Sequence, residues 1–466
     1  MFKQHPNGLY LLFTTEMWER FSYYGMRAIL SLYMLQALFY NTAFSSSIYG
    51  YYTGMVYLTP LIGGYIADRY WGNRKSIIFG GLLMALGQFS LAISGYLYTP
   101  QPGVINTFFV FNNQTIFFLV GLFLLVLGNG FFKPNISTMV GFLYSDNDGR
   151  RDSAFTIFYM GINLGALISP LIIGLVTGNN PAYYMYGFLA AGIGMLLGLA
   201  TFILGKDKYL VNPKGDAVGV IPNHKDIPCD IGDQTLTWVE KQRIIVIVIL
   251  AFFGIFFWMA FEQAGVSLTF LAEQHVDRVI TALNFKIPTP WFQSVNPLAI
   301  LIFAPFFAGL WLKLKNKGKE PSIPLKMAGG LLLLSIGFMI LVIASKTLDT
   351  GANISPLWLI AAYILFTFGE LCISPIGLSM VSKLSPARFT CLLMGIWFLT
   401  NAFANVLAGF LSTLYPDPSQ PTAYILGIPI DNFTAFFMVF VILSLIAVIA
   451  LFIMRGKLET MMHGIE

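Results

Sequence analysis

Apolar residues run along the chain in long stretches, each closed by charges or by clusters of Gly, Pro and Asn. In the first half they fall at about 13–38, 46–68, 76–98, 115–143, 153–177 and 182–204. Roughly 20 apolar residues suffice for one helix across a bilayer, so each run predicts a span. The stretch from Lys206 to Arg243 is rich in Pro, Asp, Lys and Gly and holds no such run. Six more runs follow, at about 243–271, 290–312, 325–345, 355–383, 388–413 and 431–454. The pattern predicts an all-α polytopic membrane protein of twelve transmembrane helices. A six-helix bundle is expected over 1–205, a cytoplasmic linker over 206–242 and a second six-helix bundle over 243–466.

Composition agrees. Of 466 residues, 56% are hydrophobic and only 11% charged, where soluble proteins carry about a quarter charged. The formal charge of +5 does not point to nucleic acid, because the cations sit in short loops. On an even-numbered bundle, twenty-one of the 27 Lys and Arg residues fall on the side of the termini. The opposite loops hold Arg278, Lys286 and Lys346, and Arg20, Arg27 and Lys133 lie inside helices. By the positive-inside rule both termini are cytoplasmic, and a plasma (inner) membrane location is expected. Cys229, Cys372 and Cys391 show neither paired nor metal-ligand spacing. No Ser/His/Asp set, metal-ligand cluster or phosphate loop stands out, so neither an enzyme nor a cofactor is expected.

The halves also resemble each other. GNGFFKPNISTMV at 128–140 aligns without gaps on GELCISPIGLSMV at 369–381, and FTIFYMGI at 155–162 aligns on FTCLLMGI at 389–396. Predicted helices 4 and 5 thus repeat as 10 and 11. A parallel repeat of six helices is a transporter architecture, with the substrate site expected near the midplane between the halves.

A charge at the centre of a spanning helix costs roughly 2.5–3.5 kcal/mol on insertion scales, so each needs a partner or a purpose. Glu16, Arg20, Tyr23 and Arg27 fall within an arc of roughly 60° on helix 1, with Glu19 beside them. Lys133 precedes Pro134 on helix 4 and is expected to pair with Glu16 when the cavity is closed to the cytoplasm and to lose that pair when it opens. Glu370 on helix 10 stands at the repeat position of Asn129 and has no nearby cation on its own helix. Glu262, in WMAFEQAG on helix 7, suits a proton carrier. None of the four histidines lies in a predicted helix core, so coupling must rest on carboxylates. Tyr23, Tyr24, Tyr57, Asn163 and Asn296 are polar cavity candidates. GGYIADRYWGNRK at 63–75 places Asp68 and Arg69 in an acidic-basic turn suited to gating between helices.

These residues carry a resemblance. EMWERFSYYG at 16–25 resembles, at every fixed position, the helix 1 motif ExxERFxYYG of the proton-dependent oligopeptide transporters of the major facilitator superfamily. Residues 63–75 resemble that superfamily's loop between helices 2 and 3, while GNGFFKPN at 128–135 and FYMGINLG at 158–165 resemble family signatures on helices 4 and 5. The resemblance covers most of the chain. It implies two bundles rocking around a central site, and a proton-coupled symporter importing di- and tripeptides by alternating access. It further implies that Arg27 and Lys133 face the peptide carboxylate and that Glu370 takes the amino group. By the same resemblance Tyr23, Tyr24, Tyr57, Asn163 and Asn296 line the pocket, Trp258 and Trp397 are aromatic gate residues, and Glu16, Glu19, Arg20 and Glu262 serve proton coupling.

The chain departs from many bacterial members, which insert two helices between the halves, and from animal members, which carry a helix 2 histidine. The expected partners are small peptides, protons and the lipid bilayer, with the chain a monomer. The competing readings are a drug exporter or an anion carrier such as one for nitrate. Glu370 argues against the anion reading, since a zwitterionic peptide needs opposite charges at separated ends and an anion does not want a carboxylate.

Overall fold

The computed structural model describes residues 5–145, 148–221, 236–386 and 389–464. The central part of the predicted linker, 222–235, lies outside them. The helices are α1 (Asn7–Gln36), α2 (Thr42–Ile66), α3 (Gly72–Tyr96), α4 (Asn113–Phe142), α5 (Arg151–Thr177), α6 (Tyr184–Tyr209), α7 (Trp238–Phe261) and α8 (Ser267–Gln274). They continue with α9 (Val295–Asn316), α10 (Ile323–Leu348), α11 (Pro356–Leu384), α12 (Thr390–Ser412) and α13 (Phe433–Met461). Short-chain polar residues start several of them. Asn112 accepts the Thr115 amide ahead of α4, Asn432 that of Ala435 ahead of α13, and Thr237 with Glu240 closes a capping box on α7.

Among the described residues, ten segments are long and apolar enough to cross a membrane. One of them, Thr42–Tyr96, contains both α2 and α3. The 30-residue α1 is also long enough, and the charges of Glu16, Glu19, Arg20 and Arg27 keep it from counting as apolar. Twelve spans result, as the sequence predicts.

The chain divides into two compact units. One is Met1–Asn41 with Met55–Pro228, and the other is Thr42–Gly54 with Cys229–Glu466. In the first, α3 packs on α4 and α6, and α1 packs on α5 and α6. In the second, α10 packs on α11 and α13, and α7 packs on α12 and α13. The four pairings correspond helix for helix, so the internal repeat seen in two short segments extends to the packing plan.

Backbones approach closely where side chains are small. A Cβ on Gly80 would lie 2.6 Å from the Gly128 carbonyl, and one on Gly63 would meet the Gly130 carbonyl. These contacts bind α4 to α3 and to α2, because dispersion between closely packed backbones replaces the hydrophobic drive that lipid removes. In the second unit the first half of α2 meets α12 in the same way, with Gly50 against Gly409 and Ser46 Oγ 3.0 Å from Ser412 Oγ.

Two features depart from the predicted elements. The turn after α2 is a π-helical turn, Ala67–Trp71, ended by Gly72 at φ 73°. The predicted helix at 243–271 is broken: α7 stops at Phe261, Glu262–Gly265 form a 3-10 turn, and α8 resumes at Ser267. The broken segment is closely packed. The Tyr49 hydroxyl occupies the place a Gly265 Cβ would need, and Gln263 spends its amide on the Met259 and Ala408 carbonyls at 3.1 and 3.0 Å. Two short antiparallel pairs, Val279–Ile280 with Phe285–Lys286 and Ala423–Ile425 with Ile428–Ile430, lie in loops where no strand is predicted.

Candidate substrate and proton site

The charged row of α1 is buried in the first unit. Arg20 Nε lies 2.8 Å from Glu16 Oε1 and 2.5 Å from Glu19 Oε2, and all three side chains are sealed from solvent. Two carboxylates therefore share one guanidinium. Glu16 Oε2 and Glu19 Oε1 have no hydrogen-bond donor among the described residues. Buried acids with unmet oxygens are costly in a membrane interior, so this cluster is a functional candidate. The Arg20 guanidinium also sits 5.8 Å from the centre of the Tyr23 ring, which stacks edge-on against Tyr24 at 5.4 Å.

Lys133 does not make here the ion pair with Glu16 that is expected when the cavity is closed to the cytoplasm. Its Nζ stands 4.3 Å over the Tyr57 ring, and no described carboxylate forms an ion pair with it, Glu16 being held by Arg20. The quadrupole of a phenol ring stabilises a cation at such a distance, worth about 0.5–2 kcal/mol from exposed to desolvated sites, and both residues here are half-buried. The acids are still in electrostatic reach, since the charges of Arg20, Glu19, Glu16 and Arg27 all act on Lys133. Pro134 sits inside α4 directly after it. Arg27, the last of the row in the chain, is buried, and Asn163 on α5 is buried with its amide donating to the Tyr159 carbonyl at 3.0 Å.

In the second unit Glu370 of α11 is buried, and its Oε2 accepts a hydrogen bond of 2.8 Å from Asn296 Nδ2 of α9. The same amide nitrogen reaches Thr367 Oγ1 at 3.0 Å. Two residues singled out separately in the sequence thus form one group, with Thr367 added. Among the described residues no cation forms an ion pair with Glu370. Glu262 opens the 3-10 turn after α7 and is buried there, in electrostatic reach of Glu370. It stands at a helix break, not inside a helix as expected, and a broken helix is where transporters place ion-handling groups.

The two tryptophans lie in the same unit. Trp397 is buried against Gly377, whose Cβ would meet the indole Cζ2, while Trp258 packs edge-on against Phe257 and Phe261 at 5.2 and 5.3 Å. Asp68 and Arg69 are exposed on the π-turn, where Arg69 donates to the Tyr65 hydroxyl at 2.7 Å. The turn is held by a residue the sequence did not single out. Arg74 donates to the carbonyls of Val218 and Leu210, both at 2.7 Å, and to Asp207 at 2.9 Å, which ties the chain after α6 to the start of α3.

The POT family profile matches residues 74–221 and 227–426, most of the chain. The chain belongs to the POT family. Peptide transporter YePEPT of Yersinia enterocolitica is 34% identical over 466 residues, with 87% of each chain covered. A di-/tripeptide transporter of Lactococcus lactis is 32% identical, covering 88% of this chain and 90% of its own. Among solved structures, a peptide transporter POT in complex with sulfate superposes with a TM-score of 0.83 at 31% identity, covering 100% of this chain and 97% of its own. The architecture is accordingly the twelve-helix fold of the major facilitator superfamily. POT family membership also makes the chain a member of a transporter family.

Proposed function

We propose that this POT family member is a proton-coupled symporter that imports di- and tripeptides by alternating access. It works as a monomeric carrier and not as an enzyme, in the plasma (inner) membrane with both termini cytoplasmic. The observation that carries the reading is that two kinds of charge lie within the spanning helices, cations in the first unit and a carboxylate in the second. A cationic end, Arg27 and Lys133, takes the peptide carboxylate, and an anionic end, Glu370 positioned by Asn296, takes the amino group. Tyr23, Tyr24, Tyr57 and Asn163 supply polar contacts to the backbone between the ends, with Trp258 and Trp397 as aromatic gates and Asp68 with Arg69 in the gating turn. An anion carrier has no use for Glu370, and a drug exporter has no use for paired opposite ends.

Coupling follows from electrostatics. A peptide carboxylate arriving at Lys133 brings negative charge beside Glu16 and Glu19, so peptide and proton favour each other's binding, and linkage makes the effect reciprocal. Glu262 carries the exchangeable proton on the Glu370 side. The reading is tested by uptake of a labelled dipeptide into proteoliposomes, which must be concentrative with an inward-acid pH gradient and only equilibrative without one. Glu262→Gln is expected to lose gradient-driven accumulation and to keep peptide counterflow, which needs no net proton movement. If gradient-driven accumulation survives in that variant, the proton resides on Glu16 or Glu19.

A further inference from the structure

Asn129 is 1% exposed, and neither its amide nitrogen nor its amide oxygen has a hydrogen-bond partner among the described residues. Buried side-chain amides are almost always paired, and each unmet polar atom costs about 1–3 kcal/mol. A fold keeps such a group where function uses it.

Its position says which function. On α4, Gly128 packs against α3 at Gly80 and Met84, and Gly130 packs against α2 at Thr59. Asn129 points between these two contacts. Lys133, one turn along and about 40° around the helix, shares that arc and lies under the field of the α1 charges. The repeat adds an independent pointer, since Asn129 occupies in the first half the position that Glu370 occupies in the second.

We infer that Asn129 is a substrate-contacting residue whose Oδ1 accepts the N–H of the peptide bond next to the carboxylate held by Lys133 and Arg27. This rests on the peptide-transport reading. A side-chain amide offers both a donor and an acceptor, which matches a peptide group better than it matches an isolated charge. Asn129 then separates true peptides from molecules of the same length and termini that lack the amide N–H.

Glycylglycine and 5-aminolevulinic acid make the comparison, because they share a skeleton and differ by N–H against CH2 at that position. Binding of both to purified wild-type protein and to Asn129→Leu is measured, together with the thermal midpoint without ligand. Glycylglycine affinity is expected to fall about fivefold to tenfold, the worth of one neutral hydrogen bond, while 5-aminolevulinic acid changes less than about twofold. The midpoint without ligand is expected to rise by about 2 °C, because an apolar side chain of similar size removes the unmet amide. Asn129→Ala gives the same ligand comparison if the leucine variant does not fold. Equal losses for both ligands, or a lowered midpoint with both affinities unchanged, would assign Asn129 a structural role and overturn the contact alone. Wild-type protein that binds neither ligand overturns the transport reading, and this inference with it.

Discussion

Glu370→Gln is expected to weaken binding of a dipeptide with an unblocked amino terminus by at least about thirtyfold. Removing one partner of a buried, hydrogen-bonded charge pair costs about 2–5 kcal/mol, and the peptide ammonium would be left facing an amide. Gln keeps the size of the side chain and can still pair with Asn296, which holds the carboxylate at 2.8 Å, so the fold should survive. The N-acetylated dipeptide has no ammonium to lose and should bind the variant about as it binds wild type. Equal losses for the two ligands, measured by calorimetry, would contradict the clamp.

Lys133→Ala is expected to reduce proton-driven uptake at least about a hundredfold, the scale on which breaking buried charge networks acts. Arg20 is already shared between Glu16 and Glu19, so Lys133 is a cation beside the α1 cluster that a ligand can recruit, with Arg27, without dismantling it. Removing it deprives the peptide carboxylate of a partner and cuts the link between peptide binding and the acids. The Glu16→Gln/Lys133→Ala double variant should then be little worse than the lysine variant alone. Strictly additive losses in that cycle would show that the two residues act independently.

The residues of this cluster were legible in the sequence, but their pairing was not. Charge counting along α1 identifies Glu16, Glu19, Arg20 and Arg27 correctly as buried. It gives Lys133 a pairing with Glu16, because it has no way to see that Arg20 already contacts both acids through the i,i+1 and i,i+4 geometry of one helix. Nor can it see that the face of Tyr57 is a cation site 4.3 Å from the lysine. Twelve spans and the internal repeat come directly from hydropathy and from two matching segments, since the bilayer imposes length and apolarity on every helix.

The break after Phe261 lies beyond such a reading. EQAG is compatible with a continuous helix, and the side chain packed on its glycine, Tyr49, lies more than two hundred positions earlier in the chain. The link between Glu370 and Asn296 is likewise tertiary, joining α11 to α9. Asn129 was visible only as a repeat partner of Glu370. Its significance appears when burial and missing partners are known together.

The coupled movement of peptide and proton is the central claim, and proton flux itself tests it most directly. Protein is reconstituted into liposomes loaded with a pH-sensitive dye, with equal pH on both sides and the membrane potential clamped at zero. Adding an outside dipeptide should acidify the lumen, and the same addition to Glu262→Gln liposomes should not. Peptide entry with no change in luminal pH in the wild type would contradict the account.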